Sequence, residues 1–185
     1  MKNISTILTI LLSLSLAGTA FAQNQYGWSI SNSTTDPFSN TGTATNGVAS
    51  LYLWYECSTL DGMSAAEFDI AATGTVSHLA TTPTNGYLNA GGASNLLLAV
   101  GGCPAGPVIA CNLLVLDLPG ELCIVASAAN GENGTVDCQG VPTLFPNTTN
   151  GYSSTGGSTC VYGNPLCEPD AVESFSWGTI KGLYH

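Results

Sequence analysis

The chain has 185 residues, with 12 acidic residues against two basic ones and a formal net charge of −10. Only 8% of its residues are charged, whereas soluble globular proteins carry roughly 25%. Nucleic-acid binding needs several Lys or Arg side chains to replace the counterions released from phosphates. Two basic residues cannot supply them, and the same shortage argues against phosphorylated substrates and anionic membrane surfaces.

The N-terminal residues have the three parts of a secretory signal peptide. Lys2 is followed by an apolar run from Ile7 to Leu16 and then by Ala20-Phe21-Ala22. This order predicts a cleaved leader over residues 1–22, and the run is shorter than the roughly 20 residues of a membrane helix. We therefore expect a secreted protein, extracellular or attached to the cell surface, with no integral membrane segment in its mature part.

The mature chain consists of short apolar runs separated by turn dipeptides such as Asn85-Gly86 and Asn150-Gly151. This spacing predicts a single antiparallel β-sandwich, immunoglobulin-like, over residues 23–169. Pro119-Gly120 predicts a tight hairpin turn, and the polar segment 141–169, rich in Gly, Ser, Asn and Pro, is expected to be loop. The predicted strands are Val48–Glu56, Ala65–Ala71, Leu96–Val100, Val108–Leu118, Leu122–Ala126 and Thr135–Cys138.

Seven cysteines lie in the exported part, where disulfides form. A zinc site is not expected, because the chain has no C-x-x-C pair and only two histidines. The odd number leaves at least one thiol unpaired, and the period of two in 108–115 places Cys111 on an apolar strand face as a small buried residue. The other six are expected in disulfides: Cys57, Cys103, Cys123, Cys138, Cys160 and Cys167.

The segment 130–134 separates two predicted strands and has two interpretations. A hairpin turn explains its Asn-Gly pairs. A calcium loop with Glu132 and Asp137 as ligands is the alternative, but the segment lacks the order of an EF-hand. No metal or other cofactor is predicted.

Glu67 and Asp69 are the strongest indication of catalysis, because they would project from one face of a strand. Paired carboxylates perform glycoside hydrolysis, and Asp61 is a third candidate. Solvent-facing acids on a half-exposed strand explain the same pattern, so no catalytic residue is predicted. His78 is expected to be a lone exposed histidine.

Tyr52 and Trp54 alternate with apolar residues in the first long predicted strand. A row of aromatic rings on an outer sheet face can stack against sugars, so these two residues are the candidate binding residues. The alternative is that a loop or the C-terminal tail covers them and that they belong to the packing.

The tail over residues 170–185 differs in composition from the rest. It carries several aromatic side chains and one lysine, and Ser176 could cap a short amphipathic helix. We expect a sorting or attachment signal that includes Trp177, Lys181 and Tyr184; the alternative is a segment that docks on the sandwich.

The chain resembles a group of uncharacterised secreted bacterial proteins at Glu56-Cys57, in the segments 61–69, 95–104, 119–123 and 135–138, and in the tail 172–184. Residues 62–70 are also distantly similar to a strand of cohesin-like sandwiches. The first resemblance implies an extracellular location and an unpaired Cys111. It favours the disulfides Cys57–Cys103, Cys123–Cys138 and Cys160–Cys167.

These observations predict a secreted, non-catalytic module that acts by binding or assembly. A polysaccharide or another surface protein is the expected partner. The first alternative is an extracellular carboxylate-dependent glycoside hydrolase, and the second is a structural surface or filament subunit.

Overall fold

A computed structural model describes residues 26–58, 62–138 and 144–162 of the chain. These residues form only strands, turns and loops, which confirms the predicted all-β class. The strands are β1 Tyr26–Ser31, β2 Gly47–Ser58, β3 Met63–Gly74, β4 Ser77–Pro83, β5 Leu88–Asn89, β6 Asn95–Ala99, β7 Val108–Asp117, β8 Gly120–Val125, β9 Gly134–Asp137, β10 Leu144–Asn150, β11 Tyr152–Ser153 and β12 Val161–Tyr162.

The strands form one continuous, nearly closed sheet rather than two clearly separate ones. Its main path runs β11-β8-β3-β9-β10-β1-β2-β7-β4, while β6 pairs with β3, β5 with β6, and β12 with β10. Strand β10 makes the sheet continuous, because its first three residues pair with β9 and its last four pair in parallel with β1. The arrangement is thus barrel-like and is not clearly the expected two-sheet sandwich.

The core lies inside this curved sheet and follows from the alternation along the strands. Leu51, Leu53 and Tyr55 of β2 point inward. The ring of Trp28 on β1 packs 5.4 Å from that of Tyr55 and 4.9 Å from that of Phe68 on β3, between ring centroids. Aromatic pairs at these distances stabilise a core beyond the area they bury.

All six predicted strands are present, with ends shifted by at most three residues. The segment 141–169, expected to be loop, contains β10, β11 and β12 instead. Strand β10 was missed because its sequence is polar. Its residues Asn147–Asn150 are nevertheless buried, since β1 pairs with all four of them and β12 with the last two.

The Pro119-Gly120 turn joins β7 to β8, but these strands do not pair, so the hairpin prediction is wrong. Strand β7 pairs with β2 and β4, whereas β8 pairs with β3 and β11. The turn is fixed by Thr75, whose backbone N–H and hydroxyl both donate to the Pro119 carbonyl, at 2.9 and 2.7 Å. The chain therefore crosses from one side of the barrel to the other at this point.

Strands β8 and β9 do not form the predicted hairpin either, because they lie end to end along the same partner, β3. Val125 is opposite Asp69, and Gly134 is opposite Glu67. Eight residues, 126–133, therefore stand where the regular ladder would place one residue opposite Phe68. We call residues 126–133 the insertion loop.

Several expectations concern residues outside the described ranges: the leader 1–22, Asp61, Cys167, and the tail 170–185 with Trp177, Lys181 and Tyr184. The described residues include no helix of the length and hydropathy needed to cross a membrane.

Candidate functional site

Glu67 and Asp69 hold the insertion loop. The two oxygens of Asp69 accept hydrogen bonds from Asn95 Nδ2 at 2.6 Å and from the backbone N–H of Ala128 at 3.0 Å. Glu67 Oε1 accepts one from Asn130 Nδ2 at 2.9 Å. Each carboxylate is thus bonded to the loop, which gives the pair a structural role.

The loop does not bring the proposed calcium ligands together. Asp137 is buried in β9 opposite Met63, whereas Glu132 is exposed on the loop. Within residues 26–58, 62–138 and 144–162, one group of three acidic, Cys or His ligand atoms lies within 4.8 Å, and it consists of Glu121, Cys123 and Cys160. Its two sulfurs are joined in a disulfide and are therefore not thiolate ligands.

The two candidate stacking residues form no open platform. Trp54 is only 7% exposed, and its indole N–H donates to the carbonyl of Ser33 at 3.1 Å. Ser33 lies in the loop between β1 and β2, so a loop covers this face. Tyr52 is half-buried, and one such ring does not make a row for a sugar.

His78 is half-buried and hydrogen-bonded, unlike the exposed side chain expected. Its Nδ1 lies 3.2 Å from Ser94 Oγ, and its Nε2 lies 3.1 Å from the Ala80 carbonyl. The hydroxyl of Thr81, which is also near Nε2, donates to the Ala93 carbonyl at 2.6 Å. These bonds join β4 to the loop before β6, and burial lowers the pKa of His78.

The cysteines pair differently from the expectation: Cys103 with Cys138, and Cys123 with Cys160. Cys123 and Cys138 cannot meet, because β8 and β9 lie end to end. Cys138 follows β9 near Met63, whose N–H donates to the carbonyl of Pro104, and this brings Cys103 alongside.

Each of the three expected pairs is therefore incompatible with the structure. Cys103 is not available to Cys57, and Cys160 is not available to Cys167. Cys111 is fully buried in β7 and forms no disulfide. Burial raises the pKa of its thiol to about 12.

A groove of about 590 Å³ opens where the sheet divides between β8 and β10. At one end β9 pairs with β10 through Gly134 and Pro146, and at the other end β8 pairs with β11 through Leu122 and Tyr152. Between these closed ends the two sides of the sheet separate. The lining residues are Cys123–Ala126, Gly131–Asn133, Pro146, Asn147, Thr149, Cys160 and Val161.

The β8 side of the groove presents an open strand edge. Gly120 is bonded through both its N–H and its carbonyl to Ser154, on the edge away from β3. Because backbone groups alternate between the two edges of an antiparallel strand, those of Leu122 and Ile124 face the same way. In the described part of the chain, the strand on this edge, β11, reaches only Leu122 and Glu121.

Ile124 therefore directs its N–H and carbonyl into the groove. Its side chain belongs to the core and is 4% exposed, so the residue lines the groove through its backbone. In a continued ladder its partner would be Asn150, but Asn150 is paired with Val161 of β12.

The opposite wall carries amide and hydroxyl groups. Asn147 Nδ2 donates to Asn133 Oδ1 at 2.9 Å, and Asn147 Oδ1 accepts from Thr135 Oγ1 at 2.6 Å. Thr135 in turn accepts from Trp28 Nε1 at 2.8 Å. This buried chain of bonds fixes the wall to the core. Thr149 lies two residues along the same strand, and its buried hydroxyl has no hydrogen-bond partner among the described residues.

No protein-family model, curated protein sequence or solved structure matches the chain. The resemblance to uncharacterised secreted proteins and to cohesin-like sandwiches therefore stays a prediction.

Sequence reasoning missed the groove because it depends on the long-range pairing of β10. The one local signal was the run Thr148-Thr149, since β-branched residues favour strands, and the flanking Asn and Pro residues obscured it.

Proposed function

We propose that the protein is a secreted, non-catalytic extracellular module that acts by binding or assembly. Its binding site is the groove, and its ligand is an extended, uncharged peptide segment. The observation that carries this proposal is the open edge at Ile124. An unpaired strand edge accepts a peptide by β-augmentation, in which main-chain hydrogen bonds supply affinity.

The composition of the groove supports an uncharged ligand. The described residues contain no Lys or Arg, and Glu132 is the one charged residue that lines the groove. An acidic peptide would therefore meet repulsion without a compensating cation, whereas the amides of Asn133 and Asn147 suit a neutral backbone.

The contacts of Glu67 and Asp69 support the non-catalytic part of the proposal. A hydrolytic pair needs one carboxyl to protonate the leaving group and a second to act as base or nucleophile. Here each carboxylate already accepts hydrogen bonds from its neighbours, and both lie on the face that the insertion loop occupies.

Amide hydrogen exchange of the mature chain, residues 23–185, tests the binding site. The Ile124 amide should exchange as slowly as that of Leu122, either in the chain alone or after addition of uncharged Val- and Thr-rich octapeptides. Fast exchange at Ile124 under all of these conditions would overturn the proposed site.

Incubation with neutral polysaccharides tests the non-catalytic role. We expect no release of reducing ends. A hydrolase would be established instead if reducing ends were released, if Glu67→Gln abolished this release and if Glu132→Gln preserved it. Both variants must keep the melting temperature of the wild type.

A further inference from the structure

Strand β12 lies in the groove at the level of Ile124. Strands β8 and β12 run in the same direction, since β8 is antiparallel to β3, β12 is antiparallel to β10, and β3 and β10 are both antiparallel to β9. The Cys123–Cys160 disulfide joins the two strands, with the Cα atoms 5.3 Å apart. Ile124 and Val161 directly follow these cysteines, so they lie level with each other, and both line the groove. A peptide that pairs with Ile124 must therefore displace β12.

The backbones of β8 and β12 face each other but do not pair. The carbonyl of Cys160 accepts a hydrogen bond from the Gly151 N–H at 3.1 Å, and backbone groups alternate between the edges of a strand, so those of Val161 face Ile124. In a parallel pair, a residue bonds to the two neighbours of the residue level with it. Ile124 and Val161 are themselves level, and no hydrogen bond joins their backbones in the described part of the chain. The disulfide therefore holds β12 one residue out of register with β8.

We propose that reduction of the Cys123–Cys160 disulfide opens the groove to the peptide, so that this disulfide regulates binding. The inference rests on the proposed function, because it concerns access to the same site. The reductant is a dithiol, whose two S–H groups are oxidised to one S–S bond while the S–S bond between Cys123 and Cys160 becomes two S–H groups. Attack of a thiolate on one sulfur starts the exchange, and Cys160 is half-buried in the wall of the groove, where a dithiol can reach it.

Without the disulfide, few contacts keep β12 in place. Only two of its residues pair with β10, and Val161 is 50% exposed. The preceding residue outside the strand, Thr159, is held through a hydroxyl that donates to the exposed carboxylate of Glu121 at 2.8 Å. Segments with so few buried contacts open at low free-energy cost. Release of β12 exposes Ile124 on one wall and Thr149 on the other, so a peptide gains hydrogen bonds from both.

Calorimetric titration of the mature chain with the uncharged Val- and Thr-rich octapeptides tests this regulation. The variant Cys123→Ser/Cys160→Ser should bind about tenfold or more tightly than the oxidised wild type, because a larger fraction of it has the groove open. The matched control Cys103→Ser/Cys138→Ser removes the other described disulfide, whose cysteines do not line the groove. It should bind within about twofold of the wild type, as expected for a separate site.

Hydrogen exchange and chemical reduction separate this inference from the proposed function. Dithiothreitol should raise the affinity of the wild type and leave that of Cys123→Ser/Cys160→Ser unchanged. Equal affinity in all proteins, with Ile124 protected by the peptide, would overturn the regulation and keep the binding site. Fast exchange of the amides between β2 and β7 in Cys123→Ser/Cys160→Ser would show a purely structural disulfide and would also overturn the regulation. Fast exchange at Ile124 in every protein, with peptide in excess, would overturn both.

Discussion

Replacement of Glu56 by glutamine should stabilise the protein at alkaline pH and have little effect in acid. Glu56 is 4% exposed and lies at the β-bulge where the register of β1 and β2 shifts. Burial raises its pKa from 4.5 to about 7, and a side-chain hydrogen bond with Ser29 opposes the rise.

The sign of the effect follows from the protons bound in each state. Between pH 4.5 and about 7 the folded protein keeps a proton on Glu56 that the unfolded chain has released. The free energy of unfolding therefore falls as pH rises through this window, and above the window the whole contribution of Glu56 protonation is lost. A pKa difference of this size corresponds to about 3 kcal/mol.

Urea unfolding followed by tryptophan fluorescence measures the effect. Glu56→Gln should exceed the wild type by about 3 kcal/mol at pH 8 and differ from it by less than about 1 kcal/mol at pH 4. The control Glu132→Gln removes the same charge from an exposed loop position and should change stability by less than about 0.5 kcal/mol. An equal gain at both pH values, or none at pH 8, would refute the reasoning.

Three further predictions concern the core and the insertion loop. Thr135→Val leaves the Trp28 N–H and an Asn147 oxygen without a hydrogen-bond partner, so the free energy of unfolding in urea should fall by about 2–5 kcal/mol. Thr135→Ser keeps the hydroxyl, and an equally low stability of that variant would contradict the role of the hydroxyl. Cys111 should react with iodoacetamide only after unfolding, because its thiol is buried and its pKa is raised to about 12; rapid alkylation of folded protein would disprove this. Asp69→Ala should release residues 126–133 and speed cleavage by a Glu-specific protease within the loop about tenfold or more, since local opening controls proteolysis. Asp69→Asn retains one acceptor oxygen and should have a smaller effect. An unchanged cleavage rate in Asp69→Ala would refute the anchoring role.

The six strands predicted from sequence share apolar character, which is why they were predictable. Burial of Leu51 and Leu53 on β2, or of Leu113 and Val115 on β7, follows from a period of two that is present locally. The pairing partners do not follow from it. Pro119-Gly120 has the composition of a hairpin turn, and only the pairing of β7 with β2 and of β8 with β3 shows that it connects opposite sides of the barrel.

Strand β10 illustrates a second limit. Its polar residues are buried because specific partners satisfy them: Asn147 bonds to Asn133 and Thr135, and its backbone pairs with β1. Buried polar groups are tolerated when they are hydrogen-bonded. A sequence pattern carries no information on whether such partners exist, so a polar segment is predicted as loop whether it is covered or not.

The carboxylates that suggested hydrolysis explain how the groove arises. By holding the insertion loop, Glu67 and Asp69 stabilise the break between β8 and β9. Eleven residues then separate Leu122 from Gly134 on one side of the sheet, while five separate Pro146 from Tyr152 on the other. Because these two lengths differ, β10 and β11 cannot pair continuously with β8 and β9, and the edge at Ile124 remains open to another strand. The alternation of acids on β3 thus shapes the proposed binding groove through the architecture of the sheet, although neither acid lines the groove itself.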